Sequence, residues 1–392
     1  MELVDQTLDV QPIVDWLIDG AKPATDNPKE WLRVLSQRMV DCGLPIHRVA
    51  MFVRPLHPNV AARAFYWRED TATVEVSDEE HGFMSTDEYL SNPIPAVTHT
   101  RQPIRRRLCD RGTRVDFPVL HKLRKDGFTD YLIMPLEFID GEVHAFSVAT
   151  KRAGGFTDDQ VGALQRVMPA VTRIVEILGL TRKARNILEA YLGRHAGRKV
   201  LQGRIQRGDT EKLHAVIWFC DLRESTSFAD SMGAEAFLAM LNEYFDAVLG
   251  PVMDRGGEVL SFIGDAALAI FPVAQDLADA ATRAVTAAMD AISRMRIVND
   301  RREKAGSAPL RFGIGLHLGE LLYGNVGTRS RITFTVVGAA ANEAARIEAL
   351  CETLDASPLV SEQVASQVPL EWRSLGRHRL RGVGKPIKVF TL

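Results

Sequence analysis

GGEVLSFIGDAALAIF, residues 256–271, reads as two short apolar strands folded back on each other about Ile263, Gly264 and Asp265, with an acid carried at the turn. Upstream, the apolar run 214–220 is closed by a second acid, Asp221. If these strands are neighbours, the two carboxylates meet at one end of a sheet. Two acids so placed can hold a pair of divalent cations, which a triphosphate needs before it reacts. The pattern around the hairpin extends this reading. A strand is expected at 213–220, a helix at 234–249, the hairpin at 258–271 and an Ala-rich helix at 275–300. Strands at 310–317, 320–325 and 332–337 follow, then a helix at 339–351 and extended segments near 373–380 and 387–392. Such an order gives an α+β sheet with helices packed on one face.

Asn342 and Arg346 are four residues apart, so the expected helix presents an amide and a guanidinium on one face. An amide there can orient a sugar, and a guanidinium can hold a phosphate whose charge grows in the transition state. The helix expected after Asp221 offers free N–H groups near residues 224–228, Thr226 among them, as an anion site. Glu224 is awkward there, because its carboxylate repels a triphosphate unless it turns outward. Each residue also has a plainer reading. An acid at a strand end is commonly a turn former or cap, and Asn342 with Arg346 could be a solvated polar pair. His317, inside the apolar FGIGLHLGE, reads as a satisfied core histidine and is given no catalytic role.

The remaining chain fits two domains. At 392 residues it is longer than one core usually supports. Apolar residues make up 46% and charged residues 25%, and the net charge of −2 gives no electrostatic basis for nucleic-acid binding. The acidic opening MELVDQTLDV and the lack of a run of ~20 apolar residues point to a cytoplasmic protein without a membrane span. Cys42, Cys109, Cys220 and Cys351 are scattered without CxxC spacing, which fits four buried thiols better than a zinc site or a disulfide frame. Residues 10–42 read as two amphipathic helices. Strands follow at 46–53, 62–68, 72–77, 130–138 and 142–149, making a mixed α/β module with a mostly antiparallel sheet. A helix opens at Thr157 with a capping box to Gln160, its apolar face running through Leu164, Met168, Val171, Val175 and Leu178. Residues 180–209 turn basic and helical, with Ile187, Leu188, Tyr191 and Leu192 the main apolar positions. They suit equally a two-stranded contact between protomers and a helix docked on its own domain.

Five segments in order, VIWFCDLRESTSFAD (216–230), GGEVLSFIGDAALAIF (256–271), GIGLHLGELLYGNVG (313–327), FTVVGAAANEAARIEAL (334–350) and LGRHRLRGVGKPIKVF (375–390), resemble the catalytic domain of class III nucleotidyl cyclases, the adenylate and guanylate cyclases. The resemblance implies a ferredoxin-like α+β domain over residues 212–392, acting as a head-to-tail homodimer with two shared active sites. It places Asp221 and Asp265 as ligands of two Mg²⁺ or Mn²⁺ ions per site, Asn342 on the ribose and Arg346 on the transition state. Arg381 or Lys385 would contact the terminal phosphates. Adenylate cyclases usually carry a lysine where Ser261 stands, and guanylate cyclases an acid; the second base-reading position is Thr335, common in bacterial adenylate cyclases. A Gly-Phe pair frequent in the family is replaced by Glu224 and Ser225. The implied reaction is ATP to 3′,5′-cyclic AMP and pyrophosphate, with two alternatives: a cyclase for GTP or a pyrimidine triphosphate, and a nucleotide-binding domain without turnover. Residues 1–177 resemble the accessory domain of many alphaproteobacterial cyclases and look like a GAF-type sensor, joined by a helical connector, 178–211. A small ligand near His57, Tyr66, Cys109 or His121 is one reading of that module, and pure dimerisation another.

Overall fold

The computed structural model describes residues 8–20, 27–55, 60–110, 112–329 and 331–392. They divide into two compact units, Met1–Ile187 and Leu188–Leu392. Among the described residues no helix is long and apolar enough to cross a membrane.

The first unit is built on an antiparallel sheet in the order β3-β2-β1-β6-β5-β4. Its strands are β1 (Arg48–Val53), β2 (Ala62–Arg68), β3 (Val74–Glu79), β4 (Ile104–Arg106), β5 (Asp130–Glu137) and β6 (Val143–Thr150). All eight residues of β6 are buried, because helices cover both faces. On one face Trp31, Leu32, Leu35 and Met39 of helix Pro28–Asp41 pack with Leu164, Val167, Val171 and Val175 of helix Asp158–Leu192. The other face is covered by Val97, Leu120 and Leu123 from helices Pro93–Thr100 and Pro118–Lys125. The expected capping box is formed: Thr157 N donates to Gln160 Oε1 at 3.0 Å and Gln160 N to Thr157 Oγ1 at 3.2 Å. That fixes the start of a 35-residue helix that continues from the first unit into the second.

The second unit holds an eight-stranded sheet in the order β13-β14-β12-β10-β7-β9-β8, with β11 paired to β10. The strands are β7 (Thr210–Leu222), β8 (Glu258–Ile263), β9 (Ala266–Pro272), β10 (Phe312–Gly327), β11 (Ile332–Val337), β12 (Leu359–Ser361), β13 (Arg373–His378) and β14 (Ile387–Thr391). With helix Ala234–Asp254 between β7 and β8 and helix Leu277–Lys304 between β9 and β10, the core β10-β7-β9-β8 is a β-α-β-β-α-β unit of ferredoxin-like arrangement. The Ala-rich stripe of helix Leu277–Lys304 (Ala280, Ala284, Ala287, Ala288, Ala291) lets it sit close to Val248 and Val252 of its neighbour. Burial of Phe271 and Ile270 contributes roughly 1.5–3 kcal/mol for each side chain.

Helices lie on both faces of this sheet, not on one. Val216, Trp218 and Cys220 face the two long helices, whereas Ala215 and Ile217 face Ala340 and Ala344 of helix Ala339–Thr353. The run 215–220 is apolar throughout, not alternating, which is the pattern a strand covered twice requires. β10 is one strand where two were expected. Of the cysteines, Cys220 and Cys351 are buried, Cys42 is half-buried and Cys109 is exposed; all are free.

Candidate active site

β7 lies between β10 and β9, and Asp221 near its end stands opposite Gly313 on one side and Ala266 on the other. The β8–β9 hairpin pairs Ile263 with Ala266, leaving Gly264 and Asp265 as a two-residue loop. Gly264 has φ 66°, and the first position of such a loop is where a type II′ turn needs glycine. Asp265 is therefore next in sequence to the residue that pairs with Asp221. The carboxylates face each other: partial burial, then the charge of Asp265, raises the pKa of Asp221, while Arg223 opposes the shift. A like-charged pair of hard oxygen donors is what a divalent cation would relieve, so the side chains fit Mg²⁺ or Mn²⁺. Among the described residues no group of three or more His, Cys, Asp or Glu could hold a metal. Further ligands must therefore come from backbone carbonyls, substrate phosphates or water.

Behind these acids stands an ion pair that the sequence reading missed. Arg223 Nη2 donates to Glu348 Oε1 at 2.6 Å and to the Glu348 carbonyl at 3.2 Å. Glu348 is buried; desolvation, opposed by Arg223 and aided by the charges of Asp221 and Asp265, pushes its pKa up to about 7. The signal was present in the sequence. Glu348 lies on the apolar stripe of its helix with Ala340, Ala344, Ile347 and Cys351, where an isolated carboxylate needs a partner. Two glycines make room for it. A Cβ on Gly313 would stand 2.3 Å from Glu348 Oε1, and one on Gly315 would stand 2.5 Å from the Glu348 backbone nitrogen.

Asn342 and Arg346 are exposed on the same helix, and neither side chain has a hydrogen-bond or ion-pair partner among the described residues. At about 100° per residue, their face lies roughly 120–160° around the helix from Glu348. Glu348 faces this chain's own acids, so the amide and guanidinium turn away from them.

Ser261 on β8 and Thr335 on β11 are both half-buried. Their neighbours Leu260, Phe334 and Val336 share one buried cluster, which brings the two strands together. A bulge between Val259 and Ser261 sets Ser261 opposite Leu268, on the face of that cluster, whereas Thr335 alternates away from Phe334 and Val336. Thr226 is exposed on the short helix Ser225–Ser231, and Arg381 and Lys385 are exposed on the loop between β13 and β14. Glu224 caps that short helix with φ 59°, in the left-handed region, and its side chain is solvent-exposed. His317 is buried with Nε2 2.7 Å from Glu343 Oε2, and burial lowers its pKa. It is a satisfied core histidine at one ring nitrogen, while Nδ1 has no partner. In the first unit Cys109 and His121 are exposed, and Tyr66 packs edge-on against Phe52; His57 lies outside the described residues.

Residues 209–392 match the family model described as the adenylate and guanylate cyclase catalytic domain. An uncharacterized protein of Mycobacterium bovis is 33% identical over 248 residues, covering 60% of this chain and 42% of that protein. An uncharacterized protein of Mycobacterium tuberculosis is 34% identical over 242 residues, covering 60% of this chain and 40% of the relative. The chain thus spans about two-fifths of the length of these curated relatives. Among solved structures, the adenylyl cyclase CyaB from P. aeruginosa aligns at 23% identity over 47% of this chain and 95% of that one, with a TM-score of 0.43. The guanylyl cyclase Cya2 aligns at 27% identity over 46% and 92%, with a TM-score of 0.41. The second unit carries a class III nucleotidyl cyclase catalytic domain.

Proposed function

We propose that the protein is a homodimeric adenylate cyclase that converts ATP to 3′,5′-cyclic AMP and pyrophosphate, with each active site completed by the partner subunit. One observation carries this reading. The paired acids Asp221 and Asp265 belong to one side of the chain, whereas the unpartnered Asn342 and Arg346 face away from them. A second copy supplies the missing half most simply.

Mg²⁺ or Mn²⁺ held by the two carboxylates would lower the pKa of the ribose 3′-hydroxyl and neutralise the phosphates. Asn342 orients the ribose, so that the 3′-hydroxyl gives its proton to water and its oxygen bonds to the α-phosphorus in line with the leaving group. The bond from the α-phosphorus to the bridging oxygen breaks, and pyrophosphate leaves with its electron pair. Arg346 binds the five-coordinate phosphorus through its equatorial oxygens, and Arg381 or Lys385 holds the terminal phosphates, as Thr226 does from the short helix. Ser261 and Thr335 line the base pocket, with Thr335 accepting from the exocyclic amine of adenine. The N-terminal unit acts as a GAF-like regulatory module, a reading supported by its antiparallel order β3-β2-β1-β6-β5-β4 and by the helix Asp158–Leu192 that leaves it for the second unit.

The uncharged Ser261 favours a second reading, in which the same machinery cyclises GTP or a pyrimidine triphosphate. Purified protein incubated with each of the four ribonucleoside triphosphates and Mn²⁺, with products identified by mass spectrometry, separates these. Cyclic AMP as the main product supports the proposal. A different cyclic nucleotide transfers it to the second reading, and no product from any substrate leaves a binding domain.

A further inference from the structure

The first unit contains a partly open cavity of about 60 Å³ on the face of its sheet that carries helices Pro28–Asp41 and Asp158–Leu192. Its interior is apolar: Met51, Phe65, Phe138, Val175 and Leu178 form the walls. His144 closes the floor and is held neutral by burial, with its pKa lowered to about 4. Tyr66, Cys109 and His121 do not line it.

Two features single this cavity out from a packing defect. Gly179 lies inside the long helix, where glycine costs stability relative to alanine, yet a Cβ there would meet only Phe138, at an ordinary 3.8 Å. Backbone crowding does not demand glycine at that point; its missing side chain keeps the space open. The charged groups at the rim are the second feature. Arg63 is paired with Asp78 and Lys183 with Glu142 and Asp140, so these cations are already neutralised. Arg182 and Arg54 also line the cavity, and neither has a side-chain hydrogen bond or ion pair among the described residues. An apolar chamber with unpaired guanidinium at its mouth has the chemistry to bind a molecule with an apolar body and an anionic head.

We propose that this cavity binds a small amphiphilic carboxylate, its hydrocarbon part among Met51, Phe65, Phe138 and Leu178 and its head on Arg182, with Arg54 adding positive charge. Five of the lining residues, Val175, Leu178, Gly179, Arg182 and Lys183, belong to the helix that runs on into the second unit, so the occupant would touch that helix directly. This site is independent of which nucleotide the second unit takes, because it is read by binding alone.

The test is calorimetric titration of the full chain with decanoate, alongside decan-1-ol and acetate. The expected result is saturable one-to-one binding of decanoate, at least tenfold weaker binding of decan-1-ol and none of acetate. Arg182→Gln should weaken decanoate at least tenfold while leaving decan-1-ol unchanged. Gly179→Leu, checked for an intact fold by circular dichroism, should abolish binding of both. Absence of decanoate binding overturns the proposal. Binding that survives both substitutions in folded protein, or that is equal for decanoate and the alcohol, overturns it as well.

Discussion

Arg223 Nη2 lies 2.6 Å from Glu348 Oε1, joining the segment just beyond β7 to the helix that carries Asn342 and Arg346. In the proposed function, the pair would tie the half of one site that holds the metal ions to the element that presents the other half. Replacing Arg223 with methionine leaves a buried acid without its partner. Arg223→Met should therefore lower stability at pH 8 by about 2 kcal/mol or more, measured by urea unfolding.

The same carboxylate sets a pH dependence. Its pKa in the folded protein, about 7, is above the ordinary glutamate range near 4.5, so the folded state holds the proton more tightly than the unfolded one. The associated stability is complete below about pH 4.5 and is lost as pH rises through 7. Asp221, also raised, adds to the loss with the same sign. In EDTA, Glu348→Gln should flatten the fall in unfolding free energy between pH 5 and 7.5, which amounts to on the order of 1–3 kcal/mol in the parent protein. An unchanged slope would assign it to other groups.

Asp265→Ala and Arg346→Ala should each reduce cyclase activity by at least about a hundredfold. Mixed in equal amounts under conditions of subunit exchange, they should recover roughly a quarter of parental activity, because half the dimers are then mixed and each has one intact site. Exchange without recovery would place each site within a single chain.

Mn²⁺ should raise the melting temperature of the parent protein in the absence of nucleotide, by an amount that grows with the logarithm of its concentration above Kd. Asp221→Asn should abolish the rise, and EDTA should abolish turnover. A full Mn²⁺ shift in Asp221→Asn would move the metal elsewhere.

Glu224 occupies the left-handed region at φ 59°, where a side chain is strained and glycine is not. Glu224→Gly should therefore stabilise the protein by up to about 1 kcal/mol in spite of its greater unfolded-state entropy, as read by thermal melting.

Much of this architecture was legible because periodicity and turn chemistry agreed. The hairpin about Asp265, the helix from residue 339 and the box at Thr157 and Gln160 all form within a few residues of where the sequence places them. The sequence suggests two strands, 310–317 and 320–325, where β10 runs unbroken through Gly319. That glycine is a position of close approach: a Cβ there would stand 2.5 Å from Ala340 Cβ. The sequence suggests one helical stretch for the connector, but Gly193, with φ 83°, ends the long helix at Leu192, and a second helix, Arg194–Leu201, docks through Ala196. Ile187 and Tyr191 remain exposed. Glu348 and Arg223 escaped notice because their partnership spans 125 positions, a separation that only the fold brings together. The cavity beside Gly179 escaped for the same reason, since its walls come from five separate stretches of chain.

The glycines at 313, 315 and 319 let one helix rest almost directly on the peptide planes of β10. Contacts of this kind have no long side chain to bend and absorb a displacement. A rotation of β10 would thus be passed undamped to helix Ala339–Thr353, and with it to Asn342 and Arg346.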